Sequence, residues 1–294
     1  MHTRYKKCRT VASPLAVGIV SGLVAVILFA PNAVSQSGSL KAEISAVDLA
    51  RKVVTTELRI QNEEQSHWMY RLEKAESGRS QVQRILETKN GSLSQLLSID
   101  GHPLDDKQLR KENQRIQRLV SHPDEQRKLQ QASNKKAEQG ERLFRILPDV
   151  FVFSYASRQG DLVTLNFTPN PNFQPTSLEA RVFHAMEGEM RVDTKQERLV
   201  SLNGHLMDDV KFGFGVLGHL DRGSTFEIGQ TEVIPGHWEM TALHVNMKGK
   251  ALLFKTIGVQ VTENHSDFHR VADDLTLKQA ADILGRQLVV ANNR

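Results

Sequence analysis

Apolar residues recur at Ile44, Val47, Ala50, Val54 and Leu58 in the stretch "AEISAVDLARKVVTTELRIQ". Steps of three and four keep them on one stripe, which predicts an amphipathic helix with a single buried face. The period then changes to two. In "HWMYRLE", Trp68, Tyr70 and Leu72 alternate with His67, Met69 and Arg71, the pattern of a half-buried strand. "RSQVQRILETKNGSLSQLLSID" predicts two strands joined at Asn90-Gly91, where both residues tolerate positive φ.

Periodicity fades from residue 101 to 141. This stretch is polar, rich in helix formers and carries only scattered Leu109, Ile116, Leu119, Val120 and Leu129. Pro123 divides it into two helices with mostly solvated faces. A compact helical turn, "ERLFRIL", follows and ends at Pro148.

The rest is mostly strand. "VFVFSYASRQGDLVTLNFTPN" predicts a hairpin through Arg158-Gln159-Gly160, with Phe151, Phe153 and Tyr155 on one face. "TSLEARVFHAMEG" predicts a short helix capped by Thr176 and Glu179, with Leu178, Val182, Phe183 and Met186 on one face and Gly188 as its stop. Turns at Asp193-Thr194, Asn203-Gly204, Pro235-Gly236 and Lys248-Gly249 separate further strands, one of them carrying Trp238 and Met240. A last helix, "TLKQAADILG", has Thr276 and Gln279 as its capping box and Gly285 as its stop. About ten strands joined mostly by tight turns predict an antiparallel sheet with helices, an α+β fold.

The N-terminus changes the charge picture. Arg4, Lys6, Lys7 and Arg9 precede an apolar run from Val11 to Ala30, and Ala33 and Ser35 occupy the −3 and −1 positions of a cleavage site. Residues 1–35 thus read as an export signal, the rival being an uncleaved membrane anchor. The chain carries 38 Lys+Arg and 34 Asp+Glu, and removing those four cations leaves 34 against 34. A chain balanced in this way lacks the cation surplus expected of a nucleic-acid binder. The only cysteine, Cys8, precedes the apolar run, so the mature chain has no disulfide, thiolate metal site or cysteine nucleophile. Residues 36–294 are expected to form a single domain in the periplasm, with the polar helical insertion at about 101–141.

Candidate chemistry is sparse. Gly213, Gly215 and Gly218 fall in G-x-G-x-x-G spacing. The preceding "LMDDVKF" is too charged for a strand buried on both faces, and Asp221-Arg222-Gly223 leaves no room for a phosphate-binding helix, so no NAD site is expected. The glycines read instead as a sharp backbone path, with Phe212, Phe214, Val216 and Leu217 filling a core. His265 and His269 lie in "NHSDFHRV", which lacks the glutamate of a zinc protease and reads as a solvated loop. No G-x-S-x-G occurs, and Asp208-Asp209 and Asp273-Asp274 read as turn or capping acids. No metal or cofactor is expected, and the chain reads as non-catalytic. Seven basic residues of the insertion, Lys107, Arg110, Lys111, Arg115, Arg118, Arg127 and Lys128, either meet lipid phosphates or pair with neighbouring acids on a solvated face.

Two stretches carry a family resemblance. "GEMRVDTKQERLVSLNG" is a strand-turn-strand with an acid at the turn, and "GHWEMTALHVNMKGKALLFKTIGVQV" is a Trp-bearing strand with an apolar return. With the order of elements, they resemble the periplasmic lipoprotein-carrier superfamily, the LolA/LolB-like fold, and within it the outer-membrane lipoprotein-sorting type. The likeness covers residues 40–100 loosely and 140–262 better. It implies a strongly curved antiparallel sheet, an incomplete β-barrel, covered by helices around an apolar cavity. It implies a carrier for a lipid or lipoprotein acyl chain, with a transport partner at the inner or outer membrane and no nucleic acid. Arg59 and Arg71 are the candidates for the carriers' cavity arginine. On this reading Trp68, Tyr70, Leu72, Phe151, Phe153 and Tyr155, with Trp238 and Met240, line the cavity. The alternative is an envelope sensor or scaffold that uses the same fold to bind a protein, and an exported hydrolase is the third reading.

Overall fold

The computed structural model describes residues 44–212, 218–251 and 255–291. The export-signal assignment and most of the glycine motif therefore lie outside the described residues. Within them no helix is long and apolar enough to cross a membrane.

Helix α1 spans Ala46–Glu63, capped by Ser45, whose hydroxyl accepts from the Asp48 N–H at 3.2 Å. Its buried stripe is Ala46, Leu49, Ala50, Val53, Val54, Glu57 and Leu58. Ile44 precedes the helix and is exposed, because the Ser45 cap starts the helix after it. Four strands follow: β1 (His67–Glu76), β2 (Arg79–Thr88), β3 (Gly91–Ile99) and the two-residue β4 (His102–Pro103). Gly91 takes φ of 119° at the β2–β3 turn, a conformation open to glycine.

The polar insertion forms α2 (Asp106–Ser121) and α3 (Pro123–Val150). Asp105 and Gln108 make a reciprocal capping box for α2, and Pro123 opens α3 at a position where its missing N–H costs nothing. Helix α3 does not stop at Pro148, because Leu147 and Val150 on either side are fully buried and their packing outweighs the lost hydrogen bond.

The hairpin of β5 (Phe151–Gln159) and β6 (Leu162–Pro169) leads to α4 (Leu178–His184). The cap of α4 is Ser177, not Thr176, and the helix ends before β7 (Met186–Asp193), so Gly188 lies inside a strand. Strand β8 (Arg198–Leu206) likewise runs straight through Asn203-Gly204. The two glycines face each other in the β7–β8 ladder. A Cβ on Gly188 would lie 2.0 Å from the Asn203 carbonyl oxygen, and one on Gly204 2.8 Å from the Phe226 ring. These glycines permit close approach and not chain reversal.

Short strands β9 (Val210–Phe212) and β10 (Gly218–Leu220) precede β11 (Thr225–Ile234), β12 (His237–Ala251) and β13 (Lys255–Val271). The Pro235-Gly236 turn forms as expected. Lys248-Gly249 does not turn; it continues β12, where the absent Gly249 side chain lets the His219 carbonyl of β10 pass close by. His265 and His269 belong to β13 and not to a loop. Helix α5 (Leu277–Ala291) begins at the Thr276–Gln279 box and continues through Gly285, whose vacant Cβ position meets no neighbour.

All strand pairs are antiparallel, and the order is β4-β3-β2-β1-β13-β12-β11-β8-β7-β6-β5, with β9 and β10 attached beside β12. The sheet is an open, curved half-barrel covered by helices. One core gathers α1, the end of α3 and β5–β8. A second joins α2 and α5 to Leu86 and Leu93 of β2 and β3. A third, small and aromatic, surrounds Trp68, Tyr70 and Ile85.

Candidate functional site

Helix α4 presents Leu178, Val182 and Phe183 toward the sheet, with Met186 following at the start of β7. Helix α3 brings Gly140, Leu143 and Phe144 beside them. From below, alternation along the strands raises Leu202 of β8, Phe212 of β9, Leu220 of β10, Phe226 and Ile228 of β11 and Met247 of β12. Between the two helices and these strands lies an open cavity of about 470 Å³. That volume falls in the range of small-molecule and lipid-chain sites, about 300–1,000 Å³. Its floor depends on Gly204, whose missing side chain leaves room for the Phe226 ring.

Among the described residues, Glu179 is the one ionisable side chain on the cavity wall. Its own backbone N–H and the Ser177 hydroxyl donate to the carboxylate and hold its pKa below the usual range. Among the described residues the cavity wall is thus apolar, with one anionic group held at the start of α4.

The eight residues expected to line a cavity sit elsewhere. Trp68, Tyr70 and Leu72 belong to the third core, where Trp68 is 1% exposed. Tyr70 stacks on His265 and Phe268 with ring centroids 5.2 Å away in both cases, and Trp68 meets Phe268 and His237 edge-on. Burial pushes the Tyr70 hydroxyl pKa up, and the carboxylates of Glu87, Glu239 and Glu263 push it further. Phe151 and Phe153 pack in the main core, and Phe151 lies one layer behind the cavity wall, 5.0 Å from the Phe183 ring. Tyr155 is 37% exposed at the outer strand and donates its hydroxyl to the Ile44 carbonyl at 2.7 Å. Trp238 covers the Arg198 guanidinium at 5.5 Å and donates to the Gln196 side chain, while Met240 lies farther along β12 opposite Gln230. The physical reason is that protein covers both phases of β1: the Trp68 row packs against Val233 of β11, His237 of β12 and Phe268 of β13, and Met69 packs toward α5.

The expected cavity arginines are surface groups. Arg59 pairs with Glu63 at 2.6 Å and Arg71 with Glu73 at 3.0 Å. The buried arginine is Arg198, whose Nε and Nη2 donate to the two Glu57 oxygens at 2.8 and 3.1 Å. The Leu199 N–H gives Glu57 a third hydrogen bond. This pair ties α1 to β8 and lies outside the cavity wall.

A cluster of imidazoles and acids surrounds the aromatic core. His237 approaches Glu64 at 3.2 Å, His265 approaches Glu263 at 3.6 Å, and Lys74 bridges Glu263 and Glu76 at 3.0 Å each. Hydrogen bonding from His265, opposed by burial and reinforced by Lys74, holds the Glu263 pKa below the usual range. The two imidazoles thus lie beside carboxylates while their rings lean on Trp68 and Tyr70, so that β1 and β13 pack against the start of β12. Among the described residues no three His, Cys, Asp or Glu side chains gather so as to hold a metal ion.

No family model and no curated protein matches the chain. A solved structure, that of a DUF1329 family protein from Desulfovibrio piger, matches with a TM-score of 0.26 and 11% identity over 78% of this chain and 96% of that one. A likeness so slight bears on neither ancestry nor activity.

Proposed function

We propose that the protein is a non-catalytic binding or carrier protein for an acyl chain, the cavity beneath α3 and α4 being its ligand site. The observation that carries this reading is the cavity's composition: leucine, phenylalanine, valine, isoleucine and methionine from six strands and two helices face one open space. Hydrocarbon is the ligand that such a wall stabilises, at about 0.8 kcal/mol for each CH₂ taken out of water. Carriage of lipoprotein acyl chains within a periplasmic envelope is the physiological form that the LolA/LolB-like resemblance suggests.

Leu178 provides the test, because it lines the cavity yet is 45% exposed, so changing it spares the core. Calorimetric titration with a soluble single-chain lipid, lauroyl lysophosphatidylcholine, is expected to show saturable one-site binding. Leu178→Asp is expected to weaken it on the order of tenfold, the effect of losing contact with about two methylenes, without altering thermal unfolding. Absence of binding by the folded protein across single-chain lipids of different head group would discard the carrier reading in favour of a protein-binding scaffold.

A further inference from the structure

Helix α3, which covers the cavity with α4, and the preceding α2 carry a differently charged surface. Ion pairing sorts their basic residues into two sets. Arg115 pairs with Glu112, Arg118 with Glu125, Arg127 with Asp124 and Arg145 with Glu141. Lys107, Arg110 and Lys111 on α2, and Lys128, Lys135 and Lys136 on α3, are exposed and form no ion pair within 4 Å among the described residues, Lys128 lying near enough to Glu125 to favour its ionised form. Asp106, Glu138 and Asp149 are the acids of these two helices left out of such pairs, Asp149 pairing with Arg51 of α1, so the uncompensated charge is positive although the mature chain as a whole is balanced. Lys128 and Lys135, seven residues apart, lie along one line of α3, and Lys136 lies with Leu129, 56% exposed, along the adjoining line.

That face leads to the cavity. Leu129, Lys136, Gly140 and Leu143 follow one another at separations of seven, four and three residues, which keeps them on one side of a continuous helix. The first two are on the exposed part of α3, and the last two form the cavity wall. The distance along the axis from Leu129 to Leu143 is roughly 21 Å at the helical rise.

We propose that the exposed face of α3, supported by the free cations of α2, docks the protein on an anionic lipid bilayer. Lysines whose alkyl stems lie along an interface with their ammonium groups among phosphates, flanking a leucine that enters the acyl boundary, are the elements of reversible membrane attachment. The choice of a bilayer over an acidic protein surface rests on the acyl-ligand reading, because a hydrocarbon ligand is taken from or delivered to a membrane and the same helix runs from the basic face into the ligand site.

Vesicle co-sedimentation tests this with the full chain, so that any attachment through residues 1–43 is common to every variant. The measured quantity is the difference between vesicles of phosphatidylcholine with 30% phosphatidylglycerol and vesicles of phosphatidylcholine alone, on the order of 100-fold in partitioning for three lysines. High salt is expected to abolish the difference. The combined Lys128→Glu, Lys135→Glu, Lys136→Glu variant, all at exposed positions, is expected to lose it as well, and Leu129→Asp to reduce it at low salt. Equal binding to both vesicle types, or an unchanged difference in the charge-reversed variant, overturns the proposal. So does capture of the wild type by immobilised poly-glutamate with no preference between the vesicles, which assigns the face to an acidic protein. Lysophosphatidylcholine titration of the same variant separates the two readings: unchanged cavity binding with lost vesicle preference supports docking, and failure of wild-type cavity binding strikes the ligand reading by itself.

Discussion

Glu57 occupies a helix face otherwise made of alanine, valine and leucine, and only its partners explain a carboxylate there. Arg198, the Leu199 N–H and the Trp238 ring over the guanidinium satisfy the pair from three directions. Breaking a buried pair strands the remaining charge. Arg198→Met is therefore expected to cost about 3–5 kcal/mol in urea denaturation. The double variant Glu57→Leu, Arg198→Met is expected to recover most of this but to stay about 1 kcal/mol or more below wild type, because the Leu199 N–H loses its acceptor. Tyr70 supplies a second measurable effect. Its hydroxyl pKa is raised on folding, so above about pH 10 the unfolded chain sheds a proton that the folded chain keeps. Its contribution to stability is complete below that pH and falls as pH rises beyond it, by up to about 1.4 kcal/mol per pH unit. Comparing urea midpoints from pH 8 to 11 for wild type and Tyr70→Phe isolates the effect, with the shallower decline expected in the variant. Neither partnership was legible beforehand. A lone glutamate at a stripe position reads as an edge residue, and its arginine lies 141 positions away in sequence.

At the scale of elements, periodicity located the helices and most strands because local side-chain patterns decide which face can be buried. The two capping boxes that rest on residues three apart fared unequally: Thr276 with Gln279 formed, and Thr176 yielded to Ser177, which is the next residue and an equally good acceptor. Glycine was the least legible residue type. Gly188, Gly204 and Gly249 are inside strands because another chain segment presses on them, a nonlocal cause that a turn signal cannot distinguish. Gly285 shows the opposite case. It is exposed in the interior of α5, with nothing near its missing Cβ and no positive φ assigned to it. Gly285→Ala is accordingly expected to stabilise the protein by about 1 kcal/mol, the difference in helix propensity, read as a raised urea midpoint with unchanged slope.

The whole molecule holds what the separate segments could not disclose. The apolar face of Leu178, Val182, Phe183 and Met186, and Phe212 after it, could be read from the pattern, but only as core. That they border an open cavity follows from how β9 and β10 lie off the main ladder beside the long β12, which depends on pairings between distant segments. The aromatic strand of Trp68 and Tyr70 carries the same ambiguity, since burial by a neighbouring element and burial by a ligand demand the same side chains.

The pairing of β1 with β13 has a consequence for how the chain comes to be folded. His67 lies opposite Val271, so the strand made first among the thirteen waits for the strand made last. Until residues near 271 have emerged, the N-terminal hairpins offer an open backbone edge and the Trp68 ring has no Phe268 to meet. Closure of so long a loop is slow compared with hairpin formation, and the waiting intermediate is exposed to aggregation. Synthesis from one end thus leaves the N-terminal third with an unpaired edge for the interval in which the remainder is made, and truncation just before β13 removes the strand that, among the described residues, joins the two halves of the sheet.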